Sequence, residues 1–381
     1  MKKILTMFAA AMLITACSNE DGTTSEGYQA SLDPITFDVT KDGSLTRAVG
    51  DITASNFQDK QFGVFACYTG KLKYENTTVS PDFMYNQPVS YVGTDWNYAP
   101  VKYWPNDASE YVSFFAYAPY EENPADDGRC IIDMSNWDDK GDPWLNYRLS
   151  QDPFDETGLG HPQVDLLYAV NEGTATTATD DTPWLDQQKP DVNSKVKFTF
   201  KHALACVGDK ITIQLSEALK TKLNNYAELK INSVTINYKN LTNKARLVLK
   251  CSNVPDWREI ISGELTVNRT LTIANPADCD PLTSTSPTVI SEGKGLFYIP
   301  LQVAGTDAPV AEVTLNYTVK ILATNVELNG EATGTFPLSL DTMEGKKQPI
   351  ALNLGENIDM QQLLYQLDNQ EANQPSHAPK F

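Results

Sequence analysis

Apolar and polar residues alternate along most of this chain. Ile35, Phe37 and Val39 alternate with Thr36, Asp38 and Thr40. Phe62 to Tyr68 and Tyr111 to Tyr117 are short apolar, aromatic runs bounded by turn residues. Further runs follow at Asp165 to Val170, Lys195 to Phe200 and Lys210 to Leu215, the last with Ile211, Ile213 and Leu215 in phase. Later runs are Leu229 to Tyr238, Ala245 to Leu249, Glu264 to Ala274, Leu296 to Pro300, Val313 to Ile321, Thr335 to Leu340 and Gln348 to Leu354. Short runs of period two, punctuated by Asn, Asp, Gly and Pro, predict antiparallel strands and an all-β protein. Helical spacing is confined to Ser216 to Tyr226, where Leu219 and Leu223 share a face, and to Met360, Leu363, Leu364 and Leu367 near the end. For that last stretch an alternating reading through Ile358, Met360 and Leu364 stays open.

The seven runs from Leu229 to Leu354 suffice for one β-sandwich, and about as many precede Ser216. The chain therefore divides into sandwiches over 48–217 and 225–355, followed by a tail over 356–381. The polar stretch Asn171 to Asn193 is a rival boundary. Asn369 to Phe381, polar and carrying Pro375 and Pro379, is expected to be disordered.

The first sixteen residues stand apart. Lys2 and Lys3 precede an apolar run from Ile4 to Ile14, and Thr15 and Ala16 lead to Cys17. The run is too short to span a bilayer. Positive start, short apolar core and small-residue exit are the parts of a secretory signal. With cysteine at the cut, the segment resembles a bacterial lipoprotein signal in which Cys17 becomes the acylated first residue. The polar residues after it, to about Gln29, read as a tether. Glu20 and Asp21 resemble the signal that sends such lipoproteins to the cell surface.

The net charge of −19 over 381 residues becomes −21 once Lys2 and Lys3 are removed. Such a surface repels phosphate backbones and excludes nucleic acid as a natural partner. Cys67, Cys130, Cys206, Cys251 and Cys279 have no metal or redox spacing, and their odd number leaves a free thiol. A Cys251–Cys279 disulfide stays open. His161, His202 and His377 are far apart in sequence, and His202, behind a strand pattern, reads as a structural histidine. The acidic segments Asp126-Asp127 and Asp138-Asp139 read as solvated turns. No catalytic, nucleotide or metal motif occurs, so neither an enzyme nor a cofactor is expected. Trp104 precedes a strand and reads as packing. Trp137 and Trp144, read as lying in a polar loop, are candidate glycan contacts.

Several segments, in order, resemble the fimbrillin family, the lipoprotein precursors of type V pili. They are Ile35-Thr36-Phe37 with Leu45-Thr46-Arg47-Ala48; Phe62-Gly63-Val64-Phe65-Ala66; Tyr103-Trp104-Pro105 with Val112 to Tyr120; Asp165 to Ala169; and Phe200 to Ala205. The resemblance implies two tandem transthyretin-like β-sandwiches. It implies a fimbrial subunit or adhesion protein that travels as a lipoprotein to the outer membrane. An arginine-specific surface protease would cut between Arg47 and Ala48. Residues 17–47 would then leave with the Ile35, Phe37, Val39 strand and the Cys17 lipid. The vacated edge would accept a strand from another subunit, head to tail. The chain end departs from the family pattern, because its last residues suit a helix better than a donor strand. The rival expectation is a permanently anchored glycan-binding lipoprotein.

Overall fold

The computed structural model describes residues 28–40, 52, 56–154, 162–170, 185–190, 195–224, 226–250, 254–259, 263–273, 287–302, 304–340 and 347–372. Its strands are, in chain order, β1 (Ala30–Pro34), β2 (Phe37–Thr40), β3 (Phe62–Gly70), β4 (Met84–Val92), β5 (Asp95–Asn97), β6 (Tyr103–Pro105), β7 (Tyr111–Ala118), β8 (Ile131–Met134), β9 (Trp144–Arg148), β10 (Leu167–Val170) and β11 (Val196–His202). They continue as β12 (Ala205–Leu215), β13 (Ala227–Thr242), β14 (Lys244–Val248), β15 (Asp256–Glu259), β16 (Glu264–Thr272), β17 (Thr288–Glu292), β18 (Leu296–Tyr298), β19 (Val310–Ile321), β20 (Glu327–Pro337) and β21 (Lys347–Leu354). The helices are α1 (Glu217–Leu223) and α2 (Gln361–Ala372).

The first unit is a closed barrel in the order β10-β11-β2-β5-β4-β3-β7. Alternation sorts its side chains. Phe62, Val64, Ala66, Val112, Phe114 and Ala116 fill the barrel, whereas Phe65, Cys67, Phe115 and Tyr117 point outward into a second core. Both faces of β3 and β7 are buried, so these strands read as continuous apolar runs instead of half-polar ones. Gly63 is required by this packing: a Cβ there would lie 2.3 Å from Cε1 of Tyr117, which crosses it from β7. The Tyr117 hydroxyl donates to Asn86 Oδ1 at 2.7 Å.

The second unit packs β12, flanked by β17, β18 and β21, against β16-β13-β19-β20. β12 falls within 48–217, yet every strand it pairs with lies beyond residue 287. Its alternation marks a half-buried strand but does not say whose sheet it joins. A further sheet, β15-β14-β9-β8, takes two strands from each half. The second core therefore runs without a break from Phe65 to Leu367.

Both helices form where the spacing predicts. Ser216 caps α1, its hydroxyl accepting from the Leu219 amide at 3.3 Å, and Leu219 and Leu223 are buried. On α2, Leu363 and Leu367 are fully buried, and Met360 just ahead of it is 2% exposed. The helical reading of the chain end therefore prevails, and Asn369 to Ala372, expected to be disordered, extends the helix. The Asp359 amide, at its start, donates to the Thr333 carbonyl on β20 at 3.0 Å.

Candidate assembly site

The segment from residue 28 to residue 40 is built into the barrel. β2 lies between β11, with which it runs parallel from Val196↔Phe37 to Thr199↔Thr40, and β5, which it meets at Trp96. Without β2 the barrel has a gap between β5 and β11. Upstream, β1 pairs with β6, and the Asn106 amide donates to the Gln29 carbonyl at 2.8 Å.

Of the three strand residues singled out by alternation, Ile35 and Phe37 are fully buried and Val39 is half-buried. Phe37 is the anchor. Its ring centroid lies 5.5 Å from Phe198, 5.3 Å from Tyr98, 5.9 Å from Phe114 and 6.4 Å from Phe62. Burying a phenylalanine in such surroundings is worth about 1.5–3 kcal/mol before the specific ring contacts are added.

Two tyrosines hold the segment by hydrogen bonds. The Tyr98 hydroxyl donates to the Ile35 carbonyl at 2.8 Å, and the Tyr28 hydroxyl donates to the Tyr103 carbonyl. Burial pushes each phenol up to about 12, because ionisation would strand a charge in an apolar wall. Ion pairs close the rim. Lys195 lies 2.6 Å from Asp95, linking the strands on either side of β2, and Lys189 lies 2.5 Å from Asp33. Exposed pairs of this kind add little each. The hydrogen bond from Lys195 holds Asp95 below the usual carboxylate range.

Cys17, Arg47 and Ala48 lie outside the described residues. The nearest described point after the expected cut is Ile52, whose amide donates to Asp165 Oδ2 at 3.1 Å. The same carboxylate lies 2.9 Å from His202 Nδ1, with both side chains almost completely buried. His202 is thus a structural histidine that ties β11 to the segment leading into β10. Asp165 and Tyr98 escape sequence inspection, because their partners lie 37 to 113 residues away.

The tryptophans diverge. Trp104, 3% exposed, packs on Phe114 in the barrel core. Trp137 is 48% exposed in a turn where the Asn136 amide donates to Asp139. Trp144, expected in a loop, is a strand residue of β9, and the Arg246 guanidinium covers its ring at 3.6 Å. Asp126 is not merely a solvated turn residue: it accepts from Lys244 at 2.6 Å and from Arg148. Lys244 first, then the Arg148 charge, hold it below its ordinary pKa. Cys67, Cys130 and Cys206 are buried free thiols, and Cys251 and Cys279 lie outside the described residues. Among the described residues, no cluster of three His, Cys, Asp or Glu has the arrangement of a metal site.

The fimbrillin-like family model matches residues 46–363. The fimbrium subunit Fim1C of Phocaeicola vulgatus is 27% identical over 224 residues, 58% of this chain and 54% of that protein. The chain thus spans about half the length of that curated relative. A crystal structure of a fimbrial protein from Bacteroides vulgatus superposes with a TM-score of 0.58 at 19% identity, covering 86% of this chain and 97% of that one. That likeness is one of fold.

Proposed function

The chain belongs to the fimbrillin-like family, and from that premise we propose that it is a cell-surface fimbrial subunit or related adhesion protein with a structural role and no enzymatic one. Its assembly partners are other fimbrial subunits. It is carried to the outer membrane on a lipid at Cys17 and released by an arginine-specific protease that cuts after Arg47. A strand from a neighbouring subunit then takes the place of the excised one.

The observation that carries this reading is the position of β2. It precedes Arg47, yet it is a closing strand of the first barrel, paired on both edges. Its loss would leave unpaired backbone groups on β5 and β11 beside a groove lined by Phe62, Phe114 and Phe198. Buried unpaired amides and exposed apolar surface both favour a replacement strand. A donor with apolar residues at every second position restores the pairing and the burial together. Because the donor comes from one subunit and the groove belongs to the next, the contact is head-to-tail and propagates.

The test is limited digestion of the purified protein with an arginine-specific protease, followed by N-terminal sequencing and size-exclusion chromatography. A new N terminus at Ala48 accompanied by oligomers is the expected result. Cleavage at Ala48 that yields only stable monomers overturns strand exchange.

A further inference from the structure

The segment ahead of β4 meets the turn that follows β8. The Gly141 amide donates to the Val79 carbonyl at 2.9 Å, which ties that turn to residues 78–82. Beside this tie lies a cleft of about 370 Å³, whose lining includes Thr78, Ser80, Asp82 and Lys140. The cleft has the size of a small-ligand site. Among the described residues, no hydrogen bond or ion pair engages the Thr78 and Ser80 hydroxyls or the Lys140 ammonium, so all three can be given to a ligand.

Two exposed aromatic side chains border the same turn. Trp137, within it, is 48% exposed, and Tyr85 on β4 is 40% exposed. Burial first, then the charges of Asp139, Asp133 and Asp138, raise the Tyr85 phenol, so these carboxylates stand near it. The Tyr85 ring is held edge-on against Phe65, with centroids 5.7 Å apart. Rigid rings at a surface offer contact area at little cost in conformational entropy. Exposed rings beside hydroxyl and carboxylate groups suit a ligand that is apolar on one face and hydroxylated at its rim. A sugar ring has that character: its C–H face lies against an aromatic ring, and its hydroxyls donate to carboxylates and exchange bonds with hydroxyls. Asp82, Asp133, Asp138 and Asp139 outnumber Lys140, so this part of the surface repels an anionic sugar.

We propose that this cleft binds a neutral hexose oligosaccharide, with one sugar ring stacked on Trp137 and its hydroxyls bonded to Thr78, Ser80, Asp82 and Lys140. The site needs no cut at Arg47 and is independent of strand exchange.

The test is isothermal titration of the full, uncleaved chain with maltohexaose, cellohexaose and mannohexaose, with hexagalacturonate, and with a hexalysine peptide. At least one of the neutral oligosaccharides should bind saturably, about tenfold or more tightly than hexagalacturonate. Trp137→Ala should weaken that binding about tenfold, whereas Trp137→Phe, which keeps a flat ring, should weaken it only about twofold. Lys140→Ala should weaken it several-fold. Both positions are exposed, so the melting temperature of each variant should stay unchanged. No saturable binding of any neutral oligosaccharide overturns the proposal, and so does indifference to Trp137→Ala or to Lys140→Ala. Tighter binding of hexagalacturonate or of hexalysine than of every neutral oligosaccharide overturns it as well.

Discussion

Phe37 and Phe198 stack across the parallel strands β2 and β11, with ring centroids 5.5 Å apart and planes inclined by 25°. A single cut after Arg47 would place the two rings on separate chains. After such a cut the contact would hold the excised segment only non-covalently. Phe37→Ala should destabilise the uncleaved protein by about 3–5 kcal/mol, the usual loss for a buried phenylalanine. Urea denaturation of the uncleaved variant measures this. A loss below about 1 kcal/mol would show that β2 is not integral to the barrel.

If β2 keeps the acceptor groove closed, it should also compete for the groove once cut. A synthetic peptide spanning Tyr28 to Thr40 should suppress oligomers of the cleaved protein when added in excess. The same peptide with Ile35→Asp and Phe37→Asp should not, because both positions are fully buried. Gel filtration of the digest with each peptide separates the outcomes. Equal suppression by both peptides would contradict a groove built for apolar residues.

Asp165 joins Ile52 to His202 through one buried carboxylate. Removing it leaves two partners without their acceptor inside the protein. Asp165→Ala should destabilise by about 3–5 kcal/mol. Asp165→Asn keeps an acceptor oxygen, so its loss should be smaller, about 1–2 kcal/mol. Chemical denaturation of both variants gives the ranking, and equal losses would assign the effect to packing instead of hydrogen bonding.

Local pattern made the strands legible but not their neighbours. Ile35, Phe37 and Val39 alternate cleanly, and β2 forms there. That it bridges β5 and β11 depends on residues about 60 and 160 positions away, beyond any period-two signal. The partners of β12, which are β17, β18 and β21, are equally remote in sequence. β9 is masked in the sequence by the turn-rich Trp137 to Pro143 ahead of it, and a five-residue strand carries little periodicity. In β20, Gly330 sits under Tyr317, where a Cβ would lie 2.3 Å from the hydroxyl, so cross-strand packing set a residue that weakens the local strand pattern.

Gly63, the second position of the Phe-Gly-Val-Phe-Ala run, lies where a Cβ would overlap the Tyr117 ring. The Tyr117 ring is fully buried and held by its hydroxyl's bond to Asn86. Gly63→Ala should therefore destabilise by about 1–3 kcal/mol through overpacking. Gly263→Ala, where a Cβ meets nothing within 4 Å, should change stability by less than about 0.5 kcal/mol. Thermal denaturation of the pair tests the contrast, and similar shifts in both would refute the packing account.

The grip of the barrel on residues 28–40 should weaken at alkaline pH. Tyr28 and Tyr98 hold that segment as neutral phenols, and burial raises both from an ordinary value of 10.0 to about 12. A folded-state pKa above the unfolded one means that the stabilisation is complete below about pH 10. It is lost as pH rises through the interval to about 12. Ionised Tyr98 can no longer donate to the Ile35 carbonyl, and ionised Tyr28 can no longer donate to that of Tyr103. The hydrogen bond to Asp95 raises the Lys195 pKa above that of an ordinary lysine. After cleavage at Arg47, the excised segment should leave the barrel faster at pH 11 than at pH 8, as followed by gel filtration of fluorescently labelled protein. Tyr98→Phe, which has no proton to lose, should release the segment faster at pH 8 and show a shallower rise toward pH 11. Equal release at the two pH values would exclude the phenols as the holding groups, and an unchanged slope in Tyr98→Phe would shift the effect to Tyr28.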